Sequence, residues 1–133
     1  MRYIGIDYGT KNVGIAFSDE EGTMGFPHSV LPNDSRLLSQ VRTLCAEKEV
    51  GMMVVGDSRA LSGALNPLAE EARAFGKQFA EESGIPVVYE SEVFTTQEAR
   101  RSPEGVWGDK GKAIDAKAAA LILTSYLSHH DHA

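Results

Sequence analysis

Several features that define other classes of protein are scarce in this sequence. Cys45 is the only cysteine among the 133 residues, which excludes an internal disulfide and a four-cysteine zinc site. No apolar run approaches the length of about 20 residues that spans a bilayer. The N-terminal segment MRYIGIDYGT also lacks the hydrophobic region of a secretory signal. We therefore expect a cytoplasmic protein with no membrane partner.

Cationic side chains are also few. The chain has 13 Lys and Arg residues against 19 Asp and Glu residues, which gives a net charge of −6. This balance argues against a protein that coats nucleic acid through a basic surface. It remains compatible with an enzyme that holds phosphates through metal ions at a carboxylate cluster. The length and the ordinary 42% apolar content predict a single domain over residues 1–133.

The N-terminal third of the chain is rich in β-forming residues. Runs at residues 2–7, 12–18 and 23–30 are separated by two turns, so they predict a meander of three antiparallel strands. The first turn contains Tyr8-Gly9-Thr10-Lys11. Because proline cannot donate to a β-ladder, Gly25 and Pro27 predict that the third strand is bent or lies at an edge.

The rest of the chain alternates between helical and strand patterns. A helix with N-cap chemistry in Asn33-Asp34-Ser35 carries Cys45 on its buried face. Then follow a strand at 52–55, a helix with the apolar stripe Leu68, Ala72, Phe75 and Phe79, a strand at 85–89, an irregular segment at 100–112 and a helix over about 113–127. This order predicts an α/β fold with a five-stranded mixed sheet. The two later strands should be parallel to the first, with helices on both faces.

Acidic residues follow the ends of the predicted strands. Asp7 ends the first strand, where open α/β sheets place their ligands, although an aspartate there can also simply cap the turn. Glu92 lies just beyond the strand at 85–89, and a parallel strand would bring it close to Asp7. The alternatives are that Glu92 is a solvated loop residue and that Asp57, in a comparable position, joins the site.

Asp115 is expected in the first turn of the last helix, where residues 115, 119, 122 and 126 share one face. It can interact there with the helix N-terminus. If that face packs on the sheet, however, the carboxylate is partly buried and needs a cation. Three converging acids would repel one another without a divalent metal, and Mg²⁺ binds through a few carboxylates plus substrate phosphates. The pattern favours hydrolysis of phosphodiesters with Mg²⁺ or Mn²⁺.

The segment GIDYGTKNVGIAFSD resembles the opening of the YqgF (RuvX) family, the Holliday-junction-resolvase-like proteins of the ribonuclease H-like fold. The family pattern reads roughly G-x-D-x-G-x-K-R-x-G. Similarity continues in the right order through three later segments: VVGDSRALSG, the Glu-x-x-Thr-Thr pattern of Glu92–Thr96, and IDAKAAALIL from Ile114. The chain departs from the family in having Asn12 in place of Arg, Ser91-Glu92-Val93 in place of Asp-Glu-Arg, and Gly56-Asp57-Ser58 in place of Gly-Leu-Pro. Two cationic side chains are thus missing, while all three acids are present.

The resemblance implies a ribonuclease H-like fold in which Asp7, Glu92 and Asp115 are the catalytic and metal-binding acids. It implies a nuclease that matures the 5′ end of the precursor of 16S ribosomal RNA in ribosome biogenesis. The alternatives are a resolvase of four-way DNA junctions and a non-catalytic module that binds RNA or the ribosome.

Contacts to nucleic acid are expected from a small set of cations and one aromatic residue. Lys11 can reach a phosphate from the first turn. The glycine-rich segment near residue 105 carries the remainder, which can track a backbone or stack a base: Arg100, Arg101, Trp107, Lys110 and Lys112. An ordinary exposed loop is the alternative. We expect a monomer or a homodimer. A resolvase needs two sites acting on opposed strands, so a stable monomer would count against the junction role.

Overall fold

The structure is a computed structural model that describes residues 1–57, 67–91 and 110–129. The side chains of Asp57, Ser91, His129 and residues 110–115 lie outside that description. The described residues contain five strands and three helices, in the predicted order. They are β1 (Arg2–Tyr8), β2 (Asn12–Ser18), β3 (Gly25–Pro32), α1 (Leu37–Glu47), β4 (Val50–Asp57), α2 (Pro67–Ser83), β5 (Val87–Ser91) and α3 (Lys110–His129).

The strands form one five-stranded mixed sheet in the order β3-β2-β1-β4-β5. β1, β2 and β3 are consecutive and antiparallel, whereas β4 is parallel to β1 and β5 is parallel to β4. The predicted sheet is therefore confirmed. β3 lies at an edge, where the missing N–H of Pro27 is tolerated.

Alternating side chains of β1 supply both halves of the core. Ile4 and Ile6 are fully buried on one face, among residues of α1 and α2 that include Cys45. Tyr3 lies on the other face, in a cluster with residues of α3. Cys45 is thus on the buried side of α1 as predicted, and burial raises the pKa of its thiol to about 12. The sheet has helices on both faces.

Helix α3 lies very close to the sheet because small residues line the contact. A Cβ atom on Gly5 would lie 2.8 Å from the carbonyl oxygen of Ala119 and 2.9 Å from the Cβ of Leu123. Tyr3, two residues earlier in β1, packs against Tyr126 with a ring-centroid separation of 6.2 Å. These contacts show that α3 runs antiparallel to β1, so its N-terminal half lies towards the C-terminal end of that strand.

The predicted N-cap of α1 is wrong. Arg36 occupies the N-cap position, and no side chain makes a capping hydrogen bond there. Asp34 instead accepts a hydrogen bond from the backbone N–H of Arg36 at 2.9 Å. The Asn33 side chain donates instead to the carbonyl oxygen of Gly9 at 2.7 Å.

The boundaries of the last two elements also differ from the prediction. β5 spans Val87–Ser91 rather than 85–89, and α3 begins at Lys110 rather than at about residue 113. Residues 110–112 are therefore helical and not irregular. Within the described part of the chain, none of the helices has both the length and the apolarity needed to cross a membrane.

Candidate active site

The C-terminal ends of β1, β4 and β5 lie at the same edge of the sheet, because these three strands are parallel. Ile6 of β1 is in register with Val55 of β4, so Asp7 lies one residue further on, level with Gly56. Gly56 is in turn in register with Glu90 of β5. Asp7 and Glu90 are therefore on one row of the sheet, and the residue between them has no side chain.

Asp7 shares the face of the sheet that α3 covers. It follows Gly5 by two residues in β1, and side chains two residues apart in a strand project to the same face. Its side chain is half-buried. A carboxylate in this position is partly removed from water and partly open to a ligand.

The backbone of α3 brings Asp115 to the level of Asp7. Ala119 lies over Gly5, and Asp115 precedes Ala119 by four residues, about 6 Å along a helix. Asp7 follows Gly5 by two residues, about 6.6 Å along a strand. Because α3 and β1 are antiparallel, these two displacements run in the same direction, and the two aspartate positions converge.

The expectation that residues 119, 122 and 126 share the buried face of α3 is confirmed. Ala119 and Ile122 are fully buried and Tyr126 is nearly so. Asp115 lies on this same row, although its side chain is outside the described part. It belongs to the second turn of the helix and not to the first, because α3 begins at Lys110.

The other predicted site residues are placed less completely. Lys11 is exposed in the turn between β1 and β2. Lys110 and Lys112 lie in the first turn of α3, with their side chains outside the description. Asp57 is the last residue of β4 and is level with Ser91. Four predicted residues lie outside the described residues: Glu92, Arg100, Arg101 and Trp107.

Glu90 is an acid at this edge that the sequence analysis did not select. Its carboxylate oxygen Oε2 accepts a hydrogen bond of 2.7 Å from the hydroxyl of Ser125 in α3. This contact places the Glu90 side chain on the same face of the sheet as Asp7. The strand was predicted to end at Tyr89. Glu90 was therefore not assigned to a strand, and the alternation of side chains in a strand could not be used to predict which face of the sheet it is on.

The donor set predicted for a metal consists of carboxylates alone, and these are the oxygen ligands that Mg²⁺ and Mn²⁺ favour. Asp7 suits that role, because it is half-buried at the edge where Asp115 also converges. Among the residues that the structure describes, no three His, Cys, Asp or Glu side chains lie close enough together to hold a metal. The side chains of Glu92 and Asp115 are not among those described.

A family model described as "RuvX: Holliday junction resolvase" matches residues 1–129. The chain belongs to the RuvX family. Two relatives illustrate the similarity, each named "Putative pre-16S rRNA nuclease". The one from Streptococcus uberis is 34% identical over 135 residues, covering 96% of this chain and 97% of the relative. The one from Geobacillus kaustophilus is 35% identical over 134 residues, with the same two coverages.

Solved structures confirm the ribonuclease H-like fold expected of the family. RuvC of T. thermophilus, in complex with a Holliday junction substrate, matches with a TM-score of 0.61 and 16% identity, covering 97% of this chain and 95% of RuvC. The Fowlpox virus resolvase, in complex with Holliday junction DNA, matches with a TM-score of 0.62 and 14% identity, covering 97% and 98% of the two chains. At this level of identity the likeness concerns the fold alone.

Family membership also confirms the predicted enzyme class. Both the description of the RuvX family and the names of its relatives are those of nucleases, which are hydrolases.

Proposed function

We propose that this chain is a metal-dependent nuclease that cleaves phosphodiester bonds of structured RNA, and that its substrate is the 5′ end of precursor 16S ribosomal RNA. The observation that carries the proposal is the convergence of Asp7 and Asp115 at the C-terminal edge of the parallel strands. Residues 1–133 would form one ribonuclease H-like domain, acting in the cytoplasm as a monomer or a homodimer.

The acids Asp7, Glu92 and Asp115 are the proposed ligands of Mg²⁺ or Mn²⁺. A bound divalent ion would supply charge stabilisation at the phosphoryl group and lower the pKa of the attacking water. Asp7 presents its carboxylate from a rigid central strand, since β1 is paired with β2 on one side and β4 on the other. Asp115 is held by a helix whose next two turns are packed on the sheet.

Binding of the nucleic acid must come from local cations, because the chain as a whole carries a net charge of −6. Lys11 is exposed beside the site and is the proposed phosphate contact from the β1–β2 turn. Four further cations and Trp107 are proposed to hold or stack the strand: Arg100, Arg101, Lys110 and Lys112.

The degree of similarity favours ribosomal RNA over branched DNA. The relatives named for precursor ribosomal RNA are 34% and 35% identical over nearly the whole chain, whereas the junction-bound structures are only 14% to 16% identical. A resolvase would also need two active sites acting on opposed strands. The description of the family model nevertheless makes junction cleavage the second candidate function.

The direct test offers both substrates to the same preparation. A labelled fragment spanning the 5′ end of precursor 16S ribosomal RNA and a four-way DNA junction are each incubated with Mg²⁺, Mn²⁺ or a chelator. We expect cleavage of the RNA that requires either metal and that leaves the junction intact. Resolution of the junction alone would instead support the second candidate.

The same assay separates an enzyme from a binding module. Binding of the RNA without cleavage under any metal condition, by protein shown to be folded by circular dichroism, would contradict the nuclease proposal. In that case Asn12 and Val93, which replace two arginines of the family pattern, would be the first positions to restore.

A further inference from the structure

The turn between β1 and β2 carries Lys11 at the same edge of the sheet as Asp7. It comprises Gly9, Thr10 and Lys11, which connect the last residue of β1, Tyr8, to the first residue of β2, Asn12. The turn is tight, because a Cβ atom on Gly9 would lie 2.5 Å from the carbonyl oxygen of Asn12. If Lys11 contacts a phosphate, the direction of its side chain depends on the position of this turn.

Asn33 bonds to both ends of this turn from a distant part of the chain. Its side-chain Nδ2 donates to the carbonyl oxygen of Gly9 at 2.7 Å, and its backbone N–H donates to the carbonyl oxygen of Lys11 at 2.9 Å. One residue thus fixes the backbone immediately before and immediately after Thr10.

Asn33 is itself held firmly between two regular elements. It follows Pro32, the last residue of β3, which is in register with Asn12. On its other side, the N–H of Asp34 donates to the carbonyl oxygen of Pro32 at 3.0 Å, and the N–H of Leu37 donates to that of Asp34 at 3.1 Å. Leu37 is buried in the core with 3% of its surface exposed. The amide of Asn33 therefore acts from an anchored position.

We infer that Asn33 is a positioning residue that holds the Gly9–Lys11 turn so that Lys11 meets a phosphate of the substrate beside Asp7. The inference rests on the proposed function, since it assigns Asn33 its role through Lys11. The backbone bond of Asn33 would persist in any variant, whereas the bond from Nδ2 to Gly9 requires the amide. Removing the amide frees one end of the turn and leaves the lysine in place but less well directed.

The test is a double-mutant cycle with Asn33→Ala and Lys11→Ala. Binding of the labelled precursor RNA fragment is measured by fluorescence anisotropy in Mg²⁺, with Asp7→Asn present in every variant so that the RNA stays intact. Asn33→Ala should raise Kd about 3- to 10-fold, the range for losing one hydrogen bond. In the Lys11→Ala background the same substitution should change Kd by less than about twofold, because coupled residues are not additive.

Steady-state cleavage, without the Asp7 substitution, gives a second readout. A phosphate contact made equally in the ground and transition states affects KM and not kcat. Asn33→Ala should therefore raise KM by a similar factor and leave kcat within about twofold. Ser35→Ala, an exposed position in the same loop, is the matched control and should alter neither constant.

The outcomes separate this inference from the proposal on which it rests. Equal effects of Asn33→Ala with and without Lys11 would overturn the positioning role, because they would show a purely structural effect. An unchanged Kd in Asn33→Ala, with Lys11→Ala impaired, would overturn it as well. Failure of the unmutated chain to bind or cleave the RNA would overturn the proposed function, and the role of Asn33 with it.

Discussion

At the scale of single residues, Gly5 and Asp7 have different roles on the same face of β1. Gly5 lets α3 approach to within contact of the strand backbone, and Asp7 presents a carboxylate two residues later. The helix that Gly5 admits is the one that carries Asp115. Because Gly5 has no side chain, α3 packs closely on β1, and this packing sets the distance between the positions of Asp7 and Asp115.

Replacing Gly5 by alanine should destabilise the protein and impair cleavage together. The added methyl group would overlap the carbonyl oxygen of Ala119, and overpacking of this kind costs about 1–3 kcal/mol. The free energy of unfolding is measured by urea denaturation, and cleavage at a temperature where each variant is folded. Because α3 is displaced, the Gly5→Ala variant should cleave more slowly even at a temperature where it is fully folded.

Gly84→Ala is the comparison for this prediction. Gly84 has a φ of 78° and no atoms within 4 Å of an added Cβ, so alanine is strained there without displacing a helix, at a cost of roughly 1–2 kcal/mol. The Gly84→Ala variant should have a lower free energy of unfolding and an unchanged rate of cleavage. Equal activity in the two variants would show that the close approach of α3 does not set the geometry of the site.

At the scale of elements, the turn between β2 and β3 is organised by Asp19. Its Oδ1 accepts hydrogen bonds from the N–H groups of Thr23 at 2.7 Å and Met24 at 3.3 Å, and its Oδ2 accepts one from the Thr23 hydroxyl. Bonds from the side chain and backbone of Thr23 lower the pKa of Asp19 below its usual value. This turn lies at the end of β2 opposite to the proposed site.

Asp19 should make stability depend on pH in the acid range. A carboxyl group whose pKa is lower in the folded state stabilises the protein above its unfolded pKa of about 3.9, and that stabilisation is lost as the pH falls through the folded value. The difference in unfolding free energy between the unmutated chain and Asp19→Asn should therefore be greatest near neutrality and should decrease as the pH falls from about 3.9 towards the lower folded-state pKa. Urea denaturation over this pH range measures it.

Glu21→Gln, which removes an exposed charge from the same turn, is the control for net charge. A difference for Asp19→Asn that stays constant down to low pH would contradict the assigned hydrogen bonds.

The sequence predicted the kind and order of every described element, and it failed at boundaries where backbone chemistry intervenes. β5 begins at Val87 because Pro86 has no N–H to donate, although its carbonyl oxygen accepts from Met53 at 3.0 Å. α3 includes Gly111 in its first turn, although glycine has a low helix propensity. Packing of α3 on the sheet offsets this low propensity, and such long-range packing cannot be read from a local sequence pattern.

At the scale of the whole molecule, the site depends on contacts between distant parts of the chain. The strand ending at Asp7 was predictable from a short local pattern, and Asp115 was indicated by its place on one face of the last helix and by the resemblance to the RuvX family. Their convergence follows from the antiparallel packing of α3 on β1, which involves residues more than 100 positions apart. Asn33 was predicted only as part of the N-cap segment of α1, and its hydrogen bond to Gly9 emerges only from the folded arrangement of β1, β2 and β3.

The central claim is that Asp7 is required for metal-dependent cleavage because of where it lies. The most direct test compares Asp7→Asn with Asp19→Asn, the same chemical change at the opposite end of the β1–β2 hairpin. Cleavage of the precursor RNA fragment is measured in Mg²⁺ with both variants verified as folded. Loss of a residue that merely supports a metal ligand costs about 10- to 100-fold, so Asp7→Asn should lose more than about 100-fold while Asp19→Asn stays close to the unmutated chain. Cleavage by Asp7→Asn at the rate of Asp19→Asn would contradict the account.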